Sequence, residues 1–259
     1  MVTKLFSVLV LLSAMTAEAA LSPYAGKISL WKRQGTTSPT DAYYDNAVFL
    51  PADYDPSTTK SYPMIITLHG LGGSVLNTAH TAVGGYRSGF INQVWGTALA
   101  QTYKAIVIAP NRSPAGTTIR ALWSHAQLRQ LIIDAKKKYK IDPARIVATG
   151  FSAGSIATQQ LVRYSKDLIA GAMPGAYDNN VLAYYPCTAA SIPMWVFGNN
   201  SDTLFKSARW REFRPKVEAC SNYIHEFKLT VYDNTCGHGC WDRHWARSDV
   251  QQWLMNQSK

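Results

Sequence analysis

Gly150-Phe151-Ser152-Ala153-Gly154 lies between an apolar run, Arg145 to Thr149, and a helix-like stretch, Ser155 to Tyr164. A Gly-x-Ser-x-Gly at a strand-to-helix turn forces a bend so sharp that only small residues fit on either side of the serine. The bend lifts the serine oxygen above a sheet, and the helix that follows points its N-terminus at any negative charge developing there. The pentapeptide alone also occurs in ordinary tight turns. Its strand–turn–helix setting marks Ser152 as a candidate nucleophile.

The rest of the chain repeats that alternation. Ile65 to Leu68, Ala105 to Ala109 and Ile146 to Ala148 are short continuous apolar runs, as expected of parallel strands covered on both faces. Ile169 to Met173, Met194 to Gly198 and Phe227 to Tyr232 are later strand candidates, and Ala42 to Leu50 reads as an antiparallel edge pair. Leu128, Leu131, Ile132, Ala135 and Tyr139 recur at three- and four-residue intervals, which predicts a helix between Gln127 and Tyr139. Ile141-Asp142-Pro143 then resets the chain for the next strand. Arg209 to Ala219 and Asp242 to Asn256 read as the last helices. The fold class this predicts is α/β, with a doubly wound, mostly parallel sheet flanked by helices. At 259 residues and 47% hydrophobic content the chain can fill one large core, so no second domain is expected.

A serine hydroxyl barely ionises at neutral pH and needs a base within hydrogen-bond reach. In a Ser…Asp…His order the base follows the last strand. His238 fits, flanked by Gly237 and Gly239, whereas His244 falls in the next helix, where a solvated surface role is expected. Asp202, in the loop after the strand Met194 to Gly198, suits the acid that orients the imidazole. Asp178 is its rival, and a turn or cap role is the bland alternative for either. His69-Gly70-Leu71-Gly72-Gly73 follows another apolar strand and offers amide donors for an oxyanion. The expected pair is the amides of Leu71 and Ala153, with His69 holding the loop. A phosphate-binding role for this glycine-rich segment fails, because neither the Walker lysine nor the dinucleotide spacing is present.

Lys4, the apolar run Leu5 to Met15 and Ala17-Glu18-Ala19 have the form of a secretory signal over residues 1–19, with an uncleaved anchor as the competing reading. No later stretch approaches the ~20 apolar residues of a membrane span. Four cysteines in an exported chain suggest two disulfides with three pairings, of which Cys187–Cys220 with Cys236–Cys240 is favoured. Cys236-Gly-His-Gly-Cys240 lacks a clear fourth zinc ligand, so no metal is expected. The formal net charge of +10 suits an anionic polysaccharide, acidic lipid or cell envelope, or serves solubility alone. Basic residues are scattered apart from Lys136-Lys137-Lys138 at a helix end, which gives nucleic-acid binding little support.

Leu68 to Gly73, Gly150 to Gly154, Ile192 to Gly198 with Asp202, and Gly237-His238-Gly239-Cys240-Trp241 together resemble the α/β-hydrolase superfamily. More narrowly, they are similar to its exported esterases of the polyhydroxyalkanoate depolymerase and feruloyl esterase type, and to prolyl-oligopeptidase-like hydrolases. The resemblance runs from about Asp41 to the C-terminus. It implies Ser152 as nucleophile, Asp202 as acid, His238 as base and the amides of Leu71 and Ala153 as oxyanion hole, with no cofactor. Ser155 stands where many of the depolymerases have a second glycine, and no separate substrate-binding domain is expected; both points weaken an insoluble polyester as substrate. Trp241, Trp123 and Tyr177 are candidates to line the acyl or alcohol pocket, Trp241 foremost because it adjoins His238. Core packing is the competing role for all three. The expected partner is an ester, polysaccharide- or lipid-linked among the alternatives. A peptidase using the same residues, and a non-catalytic envelope-binding module, are the other readings.

Overall fold

A computed structural model describes residues 28–31, 45–71, 102, 104–111, 123–223, 225–233, 237–239 and 241–259. Its strands are β1 (Ile28–Trp31), β2 (Asp45–Phe49), β3 (Tyr62–Leu68), β4 (Ile106–Asn111), β5 (Ile141–Phe151), β6 (Gly171–Gly175), β7 (Met194–Asn199) and β8 (Phe227–Tyr232). They form one sheet in the order β1-β2-β4-β3-β5-β6-β7-β8. β1 and β2 are antiparallel, β2 is antiparallel to β4, and every later pairing is parallel. The helices are α1 (His125–Lys138), α2 (Ala153–Ser165), α3 (Pro186–Ala189), α4 (Ala208–Glu218), α5 (Trp241–Trp245) and α6 (Ser248–Asn256).

Side-chain alternation along the strands divides the interior in two. Met64, Ile66, Ile146 and Ala148 join one apolar cluster with Leu131 and Ile132 of α1, Leu161 of α2 and Trp210 of α4. Their sequence neighbours Ile65 and Val147 join another with Trp245 of α5 and Trp253 and Leu254 of α6. Continuous apolar strands and helices on both faces are therefore one fact seen twice. All seven residues of β3 are buried, as befits a central strand.

Several boundaries differ from the sequence reading. The edge pair is not contained in Ala42 to Leu50: that segment supplies β2, and its outer partner is Ile28–Trp31. β6 begins at Gly171 rather than Ile169, because pairing to β5 starts at Val147↔Gly171 and runs to Phe151↔Gly175. The Ile141-Asp142-Pro143 reset lies inside β5, where the register against β3 jumps from Tyr62↔Ile141 to Met64↔Ile146. That irregularity accommodates a proline that an even ladder would exclude. Asp242 to Asn256 is two helices, broken at Arg247, whose backbone is extended.

Cys187 and Cys220 form a disulfide. Residues 1–19, Gly72, Gly73, Cys236 and Cys240 lie outside the described residues. Among the described residues no helix is long and apolar enough to cross a membrane.

Candidate active site

Ser152 stands between the end of β5 and the start of α2 with φ 54° and ψ −121°. A non-glycine residue there is strained, and the surrounding contacts hold it. Its amide donates to the Gly175 carbonyl at the end of β6 (3.0 Å), and its own carbonyl accepts from the amides of Ser155 and Ile156. The flanking glycines are dictated by contact. A Cβ on Gly150 would sit 2.5 Å from the Gly154 carbonyl oxygen, and one on Gly154 would sit 1.9 Å from the Leu68 oxygen. The helix is thus pressed against the end of β3, bringing its first amides beside the loop that follows that strand.

That loop begins at His69, which is buried. Its Nδ1 lies 2.7 Å from the Gly70 carbonyl and donates to it, while Trp123 Nε1 donates to the His69 carbonyl at 3.1 Å. The His69 and Trp123 rings pack with centroids 4.8 Å apart. Desolvation lowers the His69 pKa to about 4, so the ring is neutral at pH 7. Gly70 adjoins the serine: a Cβ built on it would lie 3.2 Å from Ser152 Cβ. Leu71 follows, exposed. Trp123, expected as a pocket candidate, is buried in the core, where it backs this loop.

Asp202 and His238 meet past the ends of β7 and β8. His238 Nδ1 lies 2.8 Å from Asp202 Oδ2. The carboxylate accepts, so Nδ1 carries a proton and donates it to Asp202 Oδ2. Asp202 Oδ1 accepts from the amides of Leu204 (2.9 Å) and Phe205 (3.1 Å), which fixes the carboxylate's orientation. The Asp202 side chain is 1% exposed and that of His238 27%. The histidine loop is tied to the sheet: Asn199 Nδ2 donates to the Gly237 carbonyl (2.9 Å), and the Gly237 amide donates to Ser201 Oγ (3.0 Å). Asp178, the rival acid, is committed elsewhere, pairing with Arg209 at 3.1 Å.

Ser152, Asp202 and His238 all lie past the carboxyl ends of parallel strands, β5, β7 and β8. β5 and β7 flank β6, two strand spacings or about 10 Å apart. Ala176, which follows the carbonyl that receives the Ser152 amide, lines a small cavity together with Phe197, Asn199 and His238. Tyr177 is buried, its ring 4.1 Å from that of Phe205 and its carbonyl accepting from Trp210 Nε1 (2.6 Å). The side chain of Trp241 lies outside what the structure describes.

His244 corrects the sequence reading. It is on α5 but buried rather than solvated, stacked on Phe197 with centroids 4.5 Å apart. Its Cε1 lies 3.3 Å from where a Gly175 Cβ would be, so the missing side chain on β6 makes the room that the imidazole fills. Desolvation first, with the charge of Arg247 second, lowers its pKa to about 3. Phe205, beside both Tyr177 and His238, was also missed. Its only sequence signal is an aromatic residue three positions after Asp202.

No protein-family model matches the chain. Poly(3-hydroxyalkanoate) depolymerase C of Paucimonas lemoignei is 27% identical over 124 residues, which cover 43% of this chain. The matched region spans 27% of the length of that curated relative. Among solved structures, a thermostable esterase superposes with a TM-score of 0.72 at 19% identity, over 91% of this chain and 64% of its own. The feruloyl esterase module from Clostridium thermocellum gives 0.63 at 15% identity, over 93% of each chain. A fluorophosphonate-binding serine hydrolase of Staphylococcus aureus gives 0.60 at 15% identity, over 89% of this chain and 99% of its own. Strand order, the bend at Ser152 and these superpositions agree: the chain has the α/β-hydrolase fold.

Proposed function

We propose that this protein is an exported serine hydrolase that cleaves carboxylic esters, with residues 20–259 as one catalytic unit after a signal segment. The observation that carries this reading is the 2.8 Å bond from His238 Nδ1 to a buried Asp202, past the same carboxyl strand ends that carry the strained Ser152. Such a bond leaves Nε2 basic and stabilises the imidazolium once it forms. His238 Nε2 takes the Ser152 proton as Oγ attacks the ester carbonyl. The amides of Leu71 and Ala153 receive the oxyanion. Collapse breaks the bond to the alcohol oxygen, which leaves with the proton returned from His238. Water, deprotonated by the same nitrogen, then attacks the acyl-enzyme and releases the acid and free Ser152. The esterases among the structural neighbours and the depolymerase relative support ester cleavage as the reaction class. The Cys187–Cys220 disulfide supports an oxidising destination.

A fluorophosphonate should label Ser152 stoichiometrically, and Ser152→Ala should abolish both the adduct and p-nitrophenyl ester turnover, a loss of about 10⁵–10⁶-fold in kcat. Asp202→Asn should cost about 10⁴-fold while leaving the fold intact. Folded protein that takes no label is a binding module instead. Faster turnover of aminoacyl anilides than of esters would make it a peptidase.

A further inference from the structure

Two of the large apolar side chains exposed among the described residues sit in loops that follow β3 and β7, strands on either side of β5. Leu71 is 54% exposed after β3, and Leu204 is 65% exposed after β7. The second belongs to a built surface. Phe205, next to Leu204, is half-buried between the Tyr177 ring (centroids 4.1 Å apart) and the His238 ring (5.2 Å). The backbone of both residues is pinned by Asp202 Oδ1, while Oδ2 of the same carboxylate holds the imidazole. One buried acid therefore fixes the imidazole and the apolar wall beside it in a single geometry. Tyr177 is braced in turn, since Trp210 grips its carbonyl and the amide of Ala176 donates to Phe197.

Which half of an ester meets this wall follows from proton transfer. The imidazole returns its proton to the departing alcohol oxygen, so groups that flank the ring flank the alcohol and not the acyl carbon. We propose that Leu204 and Phe205, backed by Tyr177, are specificity-determining residues that select esters of bulky apolar alcohols, aromatic ones foremost. This inference rests on the serine-hydrolase reading. A flat ring can lie against Phe205 at stacking distance and bury Leu204 as well, whereas a short alkyl alcohol reaches neither.

The test compares benzyl acetate with ethyl acetate, which share an acyl group and have alcohols of similar acidity. The wild-type protein should favour benzyl acetate in kcat/KM by about tenfold or more. Phe205→Ala should remove most of that preference, with Ser152 still labelled by a fluorophosphonate. Leu204→Ser, at an exposed position where folding is safe, should reduce the preference about threefold and raise KM for benzyl acetate more than it lowers kcat. A wild-type protein indifferent to the alcohol, or a preference unchanged in both labelled variants, overturns the proposal and leaves the hydrolase reading standing. Absence of label on the wild-type protein overturns the hydrolase reading, and this proposal with it.

Discussion

Gly154 shows how a single hydrogen atom in place of a methyl group decides the geometry of the site. Because a Cβ there would lie 1.9 Å from the Leu68 oxygen, α2 and the end of β3 would have to part. Both sides of the contact are backbone, so no side chain can swing aside. Gly154→Ala should therefore destabilise by about 3 kcal/mol, at the upper end for an overpacked interior. Urea unfolding would show it as a lowered midpoint, and fluorophosphonate labelling should slow in the protein that remains folded. That Ser152, Asp202 and His238 each follow a strand end was legible in the sequence for a related reason. Each sits in a short segment whose neighbours are constrained by the bend, by the strand before it or by flanking glycines. His244 was not legible, because its burial depends on Gly175 of β6 and Phe197 of β7 meeting it in space. Nothing within α5 records that meeting. Trp123 likewise offers only an aromatic side chain until His69 is placed beside it.

The disulfide acts between elements. Cys187 lies in α3, four residues long and too short to be stable alone, and Cys220 follows the end of α4. The bridge closes a separation of 33 residues. A chain-entropy estimate for such a loop gives about 3–4 kcal/mol. Replacing both cysteines by alanine should lower stability by roughly that amount in urea unfolding, with Ser152 labelling retained below the midpoint. The existence and type of most elements were readable from periodicity, α1 most clearly. Their ends were less so. β6 is displaced toward Gly175 because its partners on β5 and β7, rather than its own apolar residues, choose which of its residues pair. The break at Arg247 escaped notice because both flanking segments have helical patterns of their own.

For the whole molecule, the sheet order was the least readable property. That β4 lies between β2 and β3 is a matter of crossovers, and no local run encodes it. The two apolar layers that follow also enclose two neutral imidazoles, one beside each end of the site. His69 and His244 have ordinary values of 6.5 and are lowered by burial to about 4 and about 3. Unfolded chains take up protons near pH 6.5 while the folded protein refuses them. Stability is therefore fully present above about 6.5 and is lost as the pH falls toward 4 and then 3. Each histidine contributes a slope approaching about 1.4 kcal/mol per pH unit within its window. The urea midpoint should fall between pH 6.5 and 5, above the carboxylate range, and His244→Leu should make that fall shallower by about half.

The loop that carries His238 is fastened at both ends. Gly237 is tied to Asn199 and Ser201 at the end of β7. Beyond it, Trp245 Nε1 donates to Thr149 Oγ1 on β5, which donates to the Met173 carbonyl on β6. The imidazole thus spans a gap with both abutments set in the same rock, one at the end of β7, two strands from the serine, and one on β5, the serine's own strand. The position of the imidazole is yoked in this way to the soundness of the sheet beneath it.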